Sequence, residues 1–154
     1  MSVGKILGIF FISAFLLVQL IPYERSNPKS DPSLEIDAPP EIMAIFKRSC
    51  YDCHSNETRW PWYSAVAPAK WFVVRDVNIG RRWLNFSEWN SYDEKRKAKL
   101  KEMIFIAVGL AMPLGTYVKA HPEAALSEEE KDAIREWTGI KVEEIMNRPK
   151  RHLY

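Results

Sequence analysis

Two cysteines and a histidine stand within five consecutive residues, Cys50-Tyr51-Asp52-Cys53-His54. The spacing C-x-x-C-H is the attachment motif of a c-type haem. Each thiol can add to one vinyl group of the porphyrin and form a thioether, and the imidazole that follows can bind the iron as its proximal ligand. The chain has 2 cysteines in all, so both belong to this motif. The sequence therefore predicts one covalent haem c held by Cys50, Cys53 and His54.

The same residues allow other interpretations, which the rest of the sequence favours less. A thioredoxin-like redox pair is expected beside alternating strands and helices, and the flanking residues show no such pattern. A structural zinc site needs four ligands, and the other histidines, His121 and His152, form no paired spacing. An iron–sulfur cluster needs about four cysteines. A disulfide between Cys50 and Cys53 stays open in an oxidising compartment.

A second iron ligand is expected if the protein carries electrons, because carriers commonly fill the sixth position with methionine or a second histidine. The best candidate is Met112, in the segment G-L-A-M-P-L. Pro113 stops a helix and favours an extended conformation at Met112, which suits a side chain that projects from a loop. His121 is the alternative ligand, although its setting also suits a surface or hydrogen-bonded histidine. His152 lies in the basic tail, residues 148–154, which we expect to be solvated.

The N-terminus indicates export. Lys5 is followed by an apolar run from Ile6 to Ile21, and Pro22 ends it. A positive residue before such a run is typical of an export signal. The run of 16 residues is just below the lower limit of about 17 for a spanning helix. No small-x-small cleavage site follows, so we predict an uncleaved membrane anchor over residues 1–22, with a cleaved signal as the alternative.

The anchor predicts where the rest of the chain lies. Because Lys5 keeps the short N-terminal side in the cytoplasm, the haem domain should face the periplasmic side of a bacterial inner membrane. Residues 23–36 are rich in proline, and we predict an extended linker with no part in the core. The haem domain should then occupy residues 37–147. The formal net charge of +2 is too small to indicate nucleic-acid binding.

Helical periodicity dominates the predicted domain. Apolar residues recur at helical spacing after Asp37, a candidate N-cap, and again over residues 67–77 and 92–108. The clearest helix begins at Ser127, where the sequence S-E-E-E predicts a capping box. Its buried stripe should run through Ile134 and Trp137 to Val142. No strand pattern of comparable strength is present, so the predicted fold class is all-α.

Two aromatic stretches, residues 58–63 and 81–89, lie between the predicted helices. Tryptophan and tyrosine can cover the apolar face of a porphyrin while their NH or OH groups reach its propionates. Arg59, Arg81 or Arg82 can pair with those carboxylates. The alternative is that the aromatic residues supply core and loop packing.

Three segments carry a resemblance to a known family: C-Y-D-C-H-S-N-E-T-R-W-P-W-Y, then G-R-R-W-L-N-F-S-E-W, then M-P-L-G-T-Y with the later H-P-E-A. The chain resembles the bacterial haem-binding domain family related to c-type cytochromes, over residues 39–138. The resemblance implies a cytochrome c-like small helical domain around one haem, with Cys50 and Cys53 as attachment sites and His54 as proximal ligand. By similarity to the Met-Pro loop of cytochromes c, Met112 takes the distal role.

We expect a membrane-tethered mono-haem cytochrome, not an enzyme, that transfers electrons to redox proteins of unknown identity. Two alternatives stay open. A haem-based sensor or assembly factor would bind a ligand by displacing Met112. A peroxidase-like enzyme is less favoured, because it needs an open iron and a distal acid or base, for which only His121 is available.

Overall fold

The computed structural model describes residues 2–146, in which helices and loops occur without any β-strand. The prediction of an all-α fold is confirmed. The predicted basic tail, with His152, lies outside the described residues. The helices are α1 (Val3–Gln19), α2 (Pro40–Ser49), α3 (Tyr51–His54), α4 (Ala69–Trp83), α5 (Glu94–Leu110), α6 (Gly115–Ala120), α7 (Glu128–Thr138) and α8 (Val142–Met146). Short 3-10 helices lie between them at Pro32–Leu34, Trp62–Ala65, Phe86–Ser91 and Pro122–Ala124.

The apolar core lies where α2, α5 and α7 meet. Leu100 on α5 and Ile134 on α7 are at most 1% exposed. Phe46 on α2 stacks on Phe86, with ring centroids 4.7 Å apart, and meets Trp137 edge to face at 5.3 Å. Burying side chains of this size supplies about 1.5–3 kcal/mol each. Packing in the core fixes the position of α2. It therefore also fixes α3, which follows α2 directly and contains most of the C-x-x-C-H motif.

The predicted capping box at the start of α7 is present. The Glu130 amide donates to Ser127 Oγ at 3.2 Å, and the Ser127 amide donates to Glu130 Oε2 at 3.0 Å. Arg48 on α2 forms a bidentate ion pair with Glu130, with its guanidinium nitrogens 2.8 and 2.7 Å from the carboxylate oxygens. One glutamate thus caps α7 and joins it to α2.

Two helix boundaries differ from the prediction. Asp37 is not the N-cap of α2; that position is taken by Pro39, and the helix begins one residue later. The stripe of α7 does not continue to Val142, because Gly139 ends the helix in a left-handed conformation with φ of 71°. Glycine accepts that conformation without the steric cost that a side chain would bring.

The proline-rich segment, residues 23–36, packs on the domain. Ile36 is 3% exposed and belongs to the core, and its amide donates to the Phe86 carbonyl at 2.9 Å. Glu35 accepts a 2.8 Å hydrogen bond from the Tyr51 hydroxyl. The prediction that this segment contributes nothing to the core is wrong, because apolar burial and these hydrogen bonds offset the entropy lost when the segment is ordered.

The predicted membrane-anchor helix is α1, with 17 residues. Within residues 2–146, no helix combines the length and apolar character needed to cross a membrane. A helix of this length rises about 25 Å, against about 30 Å for the hydrocarbon core of a bilayer. Most side chains of α1 are apolar and exposed; Phe10, Phe11 and Leu17 are 63%, 66% and 65% exposed.

A buried lysine holds the C-terminal end of α1. Lys70, at the start of α4, is 1% exposed, and its ammonium donates to the carbonyls of Gln19 and Ile21, both at 2.9 Å. The same ammonium lies 4.7 Å from the ring centroid of Tyr23. A cation at this position satisfies the carbonyls that a helix end leaves unpaired and favours the helix dipole. The end of α1 is therefore fixed to the domain.

Candidate functional site

A largely apolar cavity of about 410 Å³ lies beside the C-x-x-C-H motif. Cys50, Cys53, His54 and Met112 all line it, so the structure brings together the four site residues predicted from the sequence. The volume falls within the range of about 300–1,000 Å³ that is usual for cofactor sites. The walls are mainly apolar and aromatic side chains: Phe46, Ile79, Trp83, Phe86, Leu100 and Ile104. Thiols, an imidazole and a thioether around such walls fit a flat apolar group with a metal at its centre.

The imidazole of His54 is held in one orientation by two backbone carbonyls. Its Nδ1 lies 3.1 Å from the oxygen of Gly80 and 3.1 Å from that of Leu84. Because a carbonyl only accepts hydrogen bonds, Nδ1 carries the proton and the Nε2 lone pair is left for a ligand bond. Burial also lowers the pKa of His54, which favours the neutral ring that metals require. This is the arrangement that orients most metal-binding histidines.

A glycine lets α4 approach the motif closely enough for these bonds. A Cβ atom added at Gly80 would overlap the backbone carbonyl oxygen of Cys53 and lie 3.0 Å from the carbonyl carbon. The obstacle is backbone, which cannot rotate away as a side-chain end can. Only glycine at this position therefore allows α4 to offer its carbonyl to His54.

The two thiols are free, and both cysteines are half-buried. Burial, followed by the proximity of Cys53, raises the pKa of Cys50 to about 12. Burial, followed by the charges of Asp52 and Asp76, raises the pKa of Cys53 to about 11. Reactive redox cysteines instead have a lowered pKa, so the site does not favour a thioredoxin-like pair.

Met112 lies in the turn that follows α5. Its amide donates to the carbonyl of Ala107 at 2.9 Å, which turns the chain away from the helix axis. Pro113 and Leu114 follow it along the wall of the same cavity. The turn thus brings a methionine thioether to the cavity that also contains His54, as the Met-Pro sequence predicted.

His121, the alternative ligand, does not line the cavity. Its Nε2 lies 2.7 Å from the hydroxyl of Tyr63, and its Nδ1 lies 3.2 Å from Glu123 Oε1. Its ring also stacks on that of Tyr117, with centroids 4.6 Å apart. Both nitrogens already have partners outside the cavity, so the structure favours the hydrogen-bonded role for this histidine.

The arginines proposed for propionate binding have other partners. Arg81 donates to the Ser55 carbonyl and to Thr58 Oγ1, both at 2.7 Å. Arg59 pairs with Asp52. Neither these two arginines nor Arg82 lines the larger cavity, whereas Arg75 does, although the sequence did not single it out.

Asp52 and Tyr117 are site residues that the sequence interpretation missed. The Tyr117 hydroxyl donates to Asp52 Oδ2 at 2.5 Å, and both residues line the cavity. Burial, followed by this hydrogen bond, raises the pKa of Tyr117 and keeps it a neutral donor. A smaller cavity of about 220 Å³ shares Asp52, Cys53 and Tyr117 with the larger one. The position of Asp52 between the cysteines is visible in the sequence, but nothing there pairs it with Tyr117.

Two further observations bear on the cofactor. Within the described part of the chain, no group of three or more His, Cys, Asp or Glu side chains is placed to hold a metal ion. A family model described as "Haem-binding domain" matches residues 13–139, which include every residue that lines the larger cavity. Comparison with curated proteins and with solved structures gives no match. The chain belongs to the haem-binding domain family.

Proposed function

We propose that the chain is an exported mono-haem c-type cytochrome that transfers electrons and is not itself an enzyme. One haem c would be attached to Cys50 and Cys53, with its iron held by His54 and Met112. The observation that carries the proposal is that these four residues, from two distant parts of the chain, line one cavity. When bound, the haem supplies a one-electron couple at its iron.

The chain's own residues would set the properties of that couple. The Gly80 and Leu84 carbonyls fix the tautomer of His54 and make its Nε2 a stronger donor. The thioether of Met112, if it binds the iron, would raise the reduction potential. The apolar walls keep water away from the centre, which is a further determinant of potential. These features suit a carrier that changes oxidation state without changing its ligands.

We also propose that α1 stays on the mature protein and attaches it to the outer face of the bacterial inner membrane. Lys5 lies in the first turn of α1, ahead of its apolar run, and the helix exposes its apolar side chains. Lys70 ties its end to the domain. The family match begins at residue 13, within α1, so the second half of this helix is part of the family's domain. Its partners would be the membrane and redox proteins of unknown identity. We do not expect it to bind nucleic acid.

A haem-based sensor or assembly factor is the second candidate. The turn with Met112 leads into α6, which has no fully buried side chain, so packing holds this part of the wall only weakly. A ligand that displaces Met112 would meet little resistance from packing. A peroxidase-like activity has less support, because His121 points its nitrogens at Tyr63 and Glu123 rather than into the cavity.

Absorption spectra of the exported full chain and of two variants test the ligation. Met112→Ala should remove the weak long-wavelength band that marks Met–iron ligation in the oxidised protein, and should let carbon monoxide bind the reduced protein readily. His121→Ala is the matched control and should keep that band. If His121→Ala removed the band or changed the ligation while Met112→Ala did not, the assignment would be wrong. Rapid carbon monoxide binding by the unsubstituted protein would favour the sensor.

A further inference from the structure

The turn that contains Met112 depends on α6 for its position. Leu114, the N-cap of α6, and Tyr117 within α6 both line the cavity, so the helix continues the wall that Met112 begins. Helices are usually fixed by an apolar stripe that packs on the core. Because no side chain of α6 is fully buried, packing on the core fixes this helix only weakly. Polar contacts must therefore contribute much of what holds α6 in position.

The link closest to the motif is the hydrogen bond between Tyr117 and Asp52. Tyr117, on α6, donates to Oδ2 of Asp52 at 2.5 Å. Asp52 is 9% exposed and lies between the two cysteines of the motif. Hydrogen bonds to a charged group are about twice as strong as neutral ones. This bond therefore joins the segment after Met112 to α3, which contains His54.

Asp52 is itself held in place by a second residue. The amide and the Nε of Arg59 donate to its Oδ1 at 3.0 and 3.1 Å, and a second guanidinium nitrogen donates to its Oδ2 at 3.1 Å. Arg59 therefore holds the Asp52 carboxylate in place independently of Tyr117. A fixed acceptor makes the tyrosine bond a geometric constraint, because little freedom is left for the aspartate to follow a moving α6.

We propose that Tyr117 is a positioning residue that holds the distal turn, residues 111–114, against the haem-binding motif through Asp52. Through this hydrogen bond, the motif on one side of the cavity fixes the position of Met112 on another side. The inference rests on the proposed function for its consequence at the iron. The mechanical claim, that the hydroxyl of Tyr117 restrains residues 112–120, concerns the protein chain alone.

Tyr117→Phe tests both levels in the haem-loaded full chain. The variant keeps the ring that stacks on His121 and removes only the hydroxyl. Amide hydrogen exchange over residues 112–120 should become about tenfold faster, since a hydrogen bond to a charged group contributes at least about 1.5 kcal/mol. The apparent affinity of the oxidised protein for imidazole, a probe that competes with Met112, should rise about tenfold.

Tyr51→Phe is the matched control, because Tyr51 is the other residue between the cysteines and its hydroxyl donates to Glu35. It should leave both readouts unchanged. Unchanged exchange over residues 112–120 in Tyr117→Phe would overturn the inference. If exchange rises but imidazole affinity does not, the restraint exists and the Met112 ligation of the proposed function fails. Should Tyr117→Phe not load haem, Asp52→Asn, which keeps an acceptor without the charge, should raise exchange by a smaller factor; no rise would equally refute the proposal.

Discussion

Replacing Gly80 with alanine adds one methyl group, and it should disturb the site more than the same replacement at any other described glycine. The new Cβ would overlap the Cys53 carbonyl oxygen and lie 3.2 Å from the Cys53 Cβ. To relieve this overlap, α4 must move away from α3. That movement lengthens the 3.1 Å hydrogen bond from His54 Nδ1 to the residue 80 carbonyl.

The magnitude follows from three terms. Overpacking against backbone costs about 1–3 kcal/mol. Weakening the neutral hydrogen bond to the residue 80 carbonyl costs about 1 kcal/mol, while the Leu84 carbonyl still accepts from His54. Alanine returns about 1 kcal/mol through its higher helix propensity. The free energy of unfolding should therefore fall by about 1–3 kcal/mol.

Urea unfolding of the haem-loaded protein, followed by haem absorbance, measures this change. Gly109→Ala is the control, since it is also a glycine inside a helix, and its added Cβ would meet only the end of the Arg135 side chain. That flexible group can move, so Gly109→Ala should leave stability unchanged or raise it by up to about 1 kcal/mol. The reasoning is refuted if Gly80→Ala is as stable as the unsubstituted protein.

Three further changes test the fold around the site. Lys70→Met should leave the carbonyls at the end of α1 without their donor, and tryptic cleavage after Arg25 in the folded protein should speed up; an unchanged rate would show that Lys70 does not hold α1. Ile36→Ala should lower the free energy of unfolding by about 2–5 kcal/mol in denaturant titration, whereas a change near zero would restore the view of residues 23–36 as a linker. The Arg48 guanidinium holds the pKa of Glu130 below its ordinary value of 4.5, so the stabilisation is present above that pH and lost as the pH falls through the lowered pKa. Glu130→Gln should therefore cost about 1 kcal/mol at neutral pH and nothing in acid, and an equal cost at both would disprove the ion-pair account.

Much of the site is local in the sequence and could be predicted there. The two cysteines and His54 are adjacent, so their chemistry needs no knowledge of the fold. Met112 was identified because Pro113 has a local effect on its backbone. The capping box of α7 is local as well, since Ser127 and Glu130 lie within one turn. The prediction of an all-α fold rests on periodicities of the same short range.

The features that sequence reasoning missed depend on contacts between distant segments. Nothing near Gly80 indicates that its carbonyl accepts from His54, or that α4 lies against Cys53. The pairing of Tyr117 with Asp52 likewise appears only after α6 is placed. Segment 23–36 has the composition of a linker, and Ile36 is a single apolar residue whose burial depends on Phe86. The composition of a segment does not show which surface the segment will pack against, so it could not predict this contact.

The central claim is that the chain binds one haem covalently through Cys50 and Cys53. Intact-mass analysis of the exported full chain, under denaturing conditions and after treatment with a thiol-alkylating reagent, tests it most directly. The account predicts a single species heavier than the polypeptide by the mass of one haem, with neither cysteine alkylated. A polypeptide without haem, alkylated at both cysteines, would contradict it.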